Sequence, residues 1–306
     1  MEPIIQATNI SHHYRKQSSV KALSLTLAHG EVMALLGTNG AGKTTTLRLL
    51  TGDLAPDAGQ IKINNVDLNL HPIEAKKSLG YLPDTAPLYD DLTIDEYLNY
   101  CARIRSMNRE QTRERVQTVK TFCELQSVSH RLIKKLSKGY QQRIGIAQAI
   151  IHEPKAIILD EPTNGLDPTQ IHEMRDLILH LRNDAAVLLS THHLNDVEQV
   201  CDRVHMLKQG RTIFCKNIDD LQQASRVRMR FNKTPPIEDL KNIQTVERVH
   251  TISDNTIELI INENLDTVKS SLLEMSQSYA WGLVEIYDIR ETLENIFVSE
   301  VLRGIH

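Results

Sequence analysis

At 306 residues the chain is long for one compact unit and comfortable for two domains. Hydrophobic residues make up 41%, enough for a sizeable core, and no apolar run reaches the ~18 residues that suggest a bilayer span. The 35 basic and 39 acidic residues give a net charge of −4, which offers no reason to expect nucleic acid as a partner.

The N-terminus, MEPIIQATNIS, lacks the basic stretch and apolar run of a secretion signal. Residues 4–10 and 20–27 are short and strand-like, the second alternating apolar and polar from Val20. His29-Gly30 makes a turn before Glu31–Leu36, a mostly apolar run too short for a helix and ended by glycine, which predicts a buried strand. A helix follows from near Gly42 and stops around Thr51-Gly52, ahead of Pro56. Ile61-Lys62-Ile63 alternates and reads as an edge or hairpin strand.

From about Thr93 to His130 the apolar spacing becomes helical, and Leu136–Ile151 continues it, predicting a helical insert at about residues 90–150. Two further buried strands are expected, Ala156–Asp160 ending in a carboxylate and Ala186–Leu189 ending in Ser190-Thr191-His192. The N-terminal domain closes near Gly210–Phe214, giving an expected boundary at 215. Residues 216–306 have another rhythm, read as strand, helix, strand, strand, helix, strand with a closing helix from Glu291. That order is compatible with a small ferredoxin-like βαββαβ domain.

The four cysteines, Cys101, Cys123, Cys201 and Cys215, form no close C-x-x-C pair and read as thiols of a reducing cytosol. His12-His13 and His192-His193 are adjacent pairs, not the i,i+4 spacing that sets two ligands on one helix face. A metal site made of protein side chains alone is therefore not expected.

Gly37-Thr38-Asn39-Gly40-Ala41-Gly42-Lys43-Thr44 matches the phosphate-binding loop G-x-x-x-x-G-K-[ST], with a buried strand before it and a helix after. The glycines let backbone N–H groups converge on phosphate oxygens, and the helix start adds partial positive charge. Lys43 is placed to reach the β- and γ-phosphates and the Thr44 hydroxyl to ligate Mg²⁺. Asp160, at a strand tip, either holds Mg²⁺ through water or caps a turn before Pro162, and the loop upstream favours the first. Glu161 is a candidate general base for the attacking water. His192 follows a buried strand, where it either positions a water or phosphate oxygen or is a satisfied structural histidine.

The set resembles the nucleotide-binding subunits of ABC transporters over residues 4 to about 214. Gly37–Thr44 looks like the Walker A segment and Ile157–Glu161 like the Walker B strand with its glutamate. Leu136-Ser137-Lys138-Gly139-Tyr140-Gln141-Gln142-Arg143 resembles the signature segment, Asn164–Asp167 the loop that crosses the dimer interface, and His192 the switch histidine. The resemblance implies a P-loop NTPase core of ABC type, α/β with an antiparallel β part and a helical insert, plus a small α+β C-terminal domain. It implies ATP and Mg²⁺ as ligands. Gly37, Asn39, Gly40, Gly42, Lys43, Thr44 and Thr45 would hold the phosphates, Tyr14 would stack on adenine, and Thr44, Asp160 and Asp84 would serve the metal. Glu161, His192 and Asp84 would be catalytic, and Ser137 and Gly139 would bind the γ-phosphate held by a second, head-to-tail copy. The partners implied are that second copy or a homologous subunit and a multispanning permease, with the chain on the cytoplasmic face of the cell membrane.

Three positions depart from the family's usual pattern. The signature reads LSKGY instead of LSGGQ, Asp84 stands where glutamine or glutamate is usual, and Asn164 stands where serine is common. Asp84 is shorter than either usual residue, which turns direct contact with Mg²⁺ and the attacking water toward a water-mediated one. Lys138 reads either as an attraction for nucleotide or as a solvated or partner-facing charge. Tyr81–Thr93 and Leu293–Phe297 are similar to the ATPases paired with ABC-2-type exporters, including those named for gliding motility and for drug or polysaccharide efflux. In that family the segment after Asp84 and the insert receive a short permease helix, for which Leu88, Tyr89 and Tyr97 are contact candidates. An uptake subunit, a soluble ABC protein and a non-enzymatic regulatory module are the competing readings.

Overall fold

The computed structural model describes residues 2–14, 17–223, 225–233, 235–241, 246–261, 265–290 and 293. The chain divides into two compact units, Met1–Cys215 and Lys216–His306.

The first unit begins with β1 (Ile5–Tyr14), β2 (Gln17–Leu27), β3 (Val32–Leu36), α1 (Lys43–Leu50), β4 (Ala58–Ile63), β5 (Val66–Asp67), α2 (Pro72–Lys77) and β6 (Leu79–Leu82). Three helices follow, α3 (Ile94–Ile104), α4 (Arg109–Phe122) and α5 (Lys138–Ile150). The unit then runs through β7 (Ala156–Asp160), α6 (Pro168–Leu181), β8 (Ala186–Thr191), α7 (Leu194–Val200), β9 (Arg203–Lys208) and β10 (Arg211–Asn217).

One sheet has the order β2-β1-β4-β5, with antiparallel pairs, and the second has the order β10-β9-β3-β8-β7-β6. Every residue of β3, β7 and β8 is buried, so these strands are continuous apolar runs and not alternating ones. That is the composition a parallel sheet covered on both faces requires, and β9, β3, β8, β7 and β6 do pair in parallel. Their carboxyl ends lie in step, Leu36 beside Thr191 and Asp160 beside Ser190. The chain leaves each of these strands at the same edge, so residues 37, 84, 161 and 192 are delivered to one place.

Several elements escaped the sequence pattern. Strand β6 contains Gly80, whose added Cβ would sit 2.3 Å from the Ala149 carbonyl oxygen, so close packing and not propensity dictates that residue. Strand β9 carries His205, only 1% exposed and paired with Thr212, and this polar interruption masks the run. Helix α6 starts at Pro168 after the Asp167 cap, where proline's missing N–H costs nothing.

The second unit runs α8 (Ile218–Gln223), β11 (Ser225–Phe231), α9 (Ile237–Lys241), β12 (Val246–Ser253), β13 (Thr256–Ile261), α10 (Leu265–Ser278) and β14 (Leu283–Arg290). Its sheet order is β12-β13-β11-β14, with antiparallel pairs throughout. One strand face supplies Val227, Met229, Phe231, Ile257, Leu259 and Ile261 to a core with Leu272 and Trp281. Between those core positions Arg228 and Arg230 of β11 pair with Glu258 of β13 and Glu285 of β14, as period-two alternation demands. The closing helix expected from Glu291, and all of Leu293–Phe297 except Leu293, lie outside the described residues.

Helix α3 is started by a capping box: Thr93 Oγ1 accepts from the Glu96 N–H (3.3 Å) while the Thr93 N–H donates to Glu96 Oε2 (2.8 Å). Replacing Thr93 with alanine is expected to cost about 1 kcal/mol, read as a lower urea midpoint at unchanged m-value.

Candidate functional site

Between β3 and α1 the chain turns through two left-handed glycines, Gly40 (φ +79°) and Gly42 (φ +105°). Gly42 is the cap residue of α1, and a Cβ there would lie 2.6 Å from the Ser19 carbonyl oxygen. Helix α1 has neither a side-chain cap nor an acidic residue in its first turn, so its leading N–H groups keep their pull on anions. Gly37 sits behind the loop, where a Cβ would meet the Leu207 carbonyl oxygen at 2.6 Å.

The loop opens on a cavity of about 470 Å³ lined by Tyr14, Asn39, Gly40, Gly42, Lys43, Thr44, Thr45, Asp84, Asp160, Glu161 and His192. Lys43 is 7% exposed; its ammonium donates to the Gly37 carbonyl (2.7 Å) and lies 3.8 Å from Glu161 Oε1. The other carboxylate oxygen of Glu161 is 3.0 Å from His192 Nδ1. Asp160 is 5% exposed and accepts a hydrogen bond from the Ser190 hydroxyl. Burial pushes its carboxyl above the usual range and the charges of Glu161 and Asp84 add to that, while Ser190 and Lys43 pull it down. Tyr14 is 44% exposed, meets the His12 ring edge-on and accepts from Arg48 (3.3 Å).

Ser137 and Gly139 do not join this group. They line a separate cavity of about 580 Å³ with Tyr140, Asp167 and Gln170, at the start of α5. Ser137 caps that helix, accepting from the Tyr140 N–H, and a Cβ on Gly139 would meet the Gln170 side chain at 2.8 Å.

The three departures converge on one loop. Asn164 Nδ2 donates to Asp84 Oδ1 at 3.4 Å, and the Lys138 side chain lies over Gly165, so that a Cβ there would sit 2.5 Å from its ammonium. Lys138 is thus a contact of residues 164–167 within its own chain, a placement that spacing alone did not show.

Sequence reasoning missed Ser190 as a site residue, although it directly precedes the Thr191-His192 pair. Its hydroxyl donates to Asp160 and accepts from the Glu161 N–H (3.2 Å). The signal available was a polar residue at the end of an otherwise apolar strand.

Among the described residues no group of three or more His, Cys, Asp or Glu side chains is placed to hold a metal ion. A hydroxyl at Thr44 beside a buried Asp160 crowded by like charges suits a Mg²⁺ that keeps waters and takes phosphate oxygens as its remaining ligands.

Residues 20–164 match the ABC transporter family. The chain is 37% identical over 223 residues to the uncharacterized ABC transporter ATP-binding protein YxlF of Bacillus subtilis, covering 73% of this chain and 74% of that one. It is 35% identical to the bacitracin transport ATP-binding protein BcrA of Bacillus licheniformis, over 76% of this chain and 75% of BcrA. The fold matches the ATP-binding cassette MJ0796, solved as a dimer in a post-hydrolysis state bound to ADP and Pi, at a TM-score of 0.64 and 25% identity, covering 70% of this chain and 98% of that one.

Replacing Ser190 with alanine removes a hydrogen bond that lowers the Asp160 pKa, so that carboxyl is expected to titrate at a higher pH than in the wild-type chain. A carbon-detected NMR titration of Asp160 reads the shift, and an unchanged midpoint would contradict the assignment.

Proposed function

The chain belongs to the ABC transporter family of ATP-binding proteins and is an ATPase that couples ATP hydrolysis to transport; we propose that it serves an ABC-2-type exporter, docked on the cytoplasmic face of the cell membrane. The observation that carries the reading of its site is the division of candidate residues between two cavities, the phosphate loop in one and Ser137 with Gly139 in the other. One chain then offers half a site, and a second copy arranged head-to-tail supplies the other half. A γ-phosphate gripped from both sides favours the closed dimer only while it remains attached.

Within the half-site, Asn39, Gly40, Gly42, Thr44 and Thr45 wrap the phosphates with the loop backbone and the start of α1, Gly37 backs the loop, and Lys43 reaches the β- and γ-phosphates. Tyr14, exposed at the cavity rim, stacks on adenine. Thr44 and Asp160 would hold Mg²⁺, with Asp84 near enough to act through water, and the ion would supply neutralisation of phosphate charge. Glu161 takes the proton of the attacking water, and His192, 3.0 Å from its carboxylate, orients that pair toward the γ-phosphate.

The export reading draws on the likeness to BcrA, which is named for bacitracin transport. A permease helix would find Tyr89 and Tyr100 at 50% and 42% exposure. Tyr97, one of the sequence candidates for that contact, is 3% exposed and donates to the Pro87 carbonyl, so it shapes the surface from beneath. Among the described residues no helix is long and apolar enough to cross a membrane, and the permease would provide the spans. Residues 216–306 form an accessory domain of ferredoxin-like type in this reading.

Glu161→Gln is expected to keep ATP binding, slow turnover by on the order of 10²–10⁴ and accumulate an ATP-held dimer on size exclusion. Wild-type turnover in that variant would end the assignment. Lys43→Ala is expected to weaken ATP binding by about tenfold or more through loss of a charge-assisted contact, measured by calorimetry; unchanged affinity would refute it.

A further inference from the structure

Glu161 has a left-handed backbone, φ +48°, which a residue with a side chain adopts only at an energetic cost. Such a conformation persists where its surroundings over-determine it. The Glu161 N–H donates to the Ser190 carbonyl (3.1 Å), and the Asn164 N–H donates back to the Glu161 carbonyl (3.0 Å). The next tether reaches outside the sheet: Thr163, 4% exposed, donates its hydroxyl to Asp196 Oδ2 at 2.6 Å.

Asp196 is 5% exposed and lies in the first turn of α7. Its other oxygen accepts two N–H bonds from Arg175 of α6, at 2.9 and 2.5 Å. The carboxylate is therefore buried, paired and bonded at both oxygens, which is what a charge in that position needs in order to persist. Helix α7 follows directly on His192-His193, and His192 is the residue facing the Glu161 carboxylate. One buried charge thus ties the loop carrying Glu161 to the helix that begins after His192, with α6 as the fixed post.

We propose that Thr163, Asp196 and Arg175 form a clamp that positions Glu161 against His192 for hydrolysis. The proposal rests on the general-base reading of Glu161. It makes Thr163 and Asp196 positioning residues, since neither lines the phosphate cavity. Loss of the Thr163 hydroxyl would also weaken the fold around buried Asp196, so the roles are separated by whether the loss of turnover depends on Glu161. Valine has nearly the same shape there without the O–H, and serine keeps the O–H without the methyl.

The test measures single- and multiple-turnover ATP hydrolysis of the full chain carrying Thr163→Val, Thr163→Ser, Glu161→Gln and the Thr163→Val/Glu161→Gln pair, with ATP affinity recorded for each. Thr163→Val is expected to lower kcat about tenfold to hundredfold, the range for a misplaced reacting group, with KM and ATP affinity within about twofold. Thr163→Ser is expected to stay near wild type, and Thr163→Val is expected to add nothing to Glu161→Gln. Equal losses from Thr163→Val in both backgrounds, or no rescue by serine, would overturn the clamp while leaving Glu161 as the base. Wild-type turnover in Glu161→Gln would overturn the general-base reading and the clamp with it.

Discussion

A lysine buried beside carboxylates at the carboxyl edge of one parallel sheet is the constraint on which the rest depends. Lys43 and Asp160 are 7% and 5% exposed, and neither charge is tolerable there alone. Lys43 is met by the Gly37 carbonyl and Glu161, and Asp160 by the Ser190 hydroxyl. The in-step ends of β3, β8 and β7 make these pairings, so sheet register and site electrostatics are one problem. Burial is the chief cause that raises the Asp160 carboxyl, and the neighbouring Glu161 and Asp84 charges add to it.

A second layer of order hangs on that edge. Residues 161–165 are tied at nearly every step: Glu161 to Ser190, Thr163 to Asp196, Asn164 to Asp84 and Gly165 to the Lys138 side chain. These partners belong to β8, α7, the segment after β6 and the start of α5, four parts of the chain far apart in sequence. The unusual side chains Asp84, Lys138 and Asn164 all make contacts at this loop.

Much of this was legible beforehand because it is local. The phosphate loop needs glycines at fixed offsets between a buried strand and a helix, and each requirement leaves a mark in the sequence. Gly42 at φ +105° is such a mark, and so is the all-apolar run of β7 ending in Asp160. The strands β6 and β9 were hidden because tertiary contacts license their exceptions, Gly80 against Ala149 and a buried His205. Ser190, Thr163 and Asp196 were hidden for a related reason. A serine, a threonine or an aspartate is ordinary until the fold brings its partner from about thirty residues away.

The division of the site follows from helix chemistry as well as from topology. Helices α3 and α4 begin with acidic residues, Asp95 and Glu96 in one and Glu110 in the other, which satisfy their positive ends internally. Helices α1, α5 and α6 have none in their first turns; α1 opens one cavity, and α5 opens the other beside the start of α6, which the Asp167 carboxylate caps. Helices α1 and α5 thus begin with ends that their own first turns do not neutralise. In the proposed reading a phosphate chain held at α1 of one copy would leave oxygens for α5 of another copy to meet. In the proposed head-to-tail reading these two ends would act as complementary half-sites that a nucleotide joins, so that one phosphoryl group would decide whether two chains hold together.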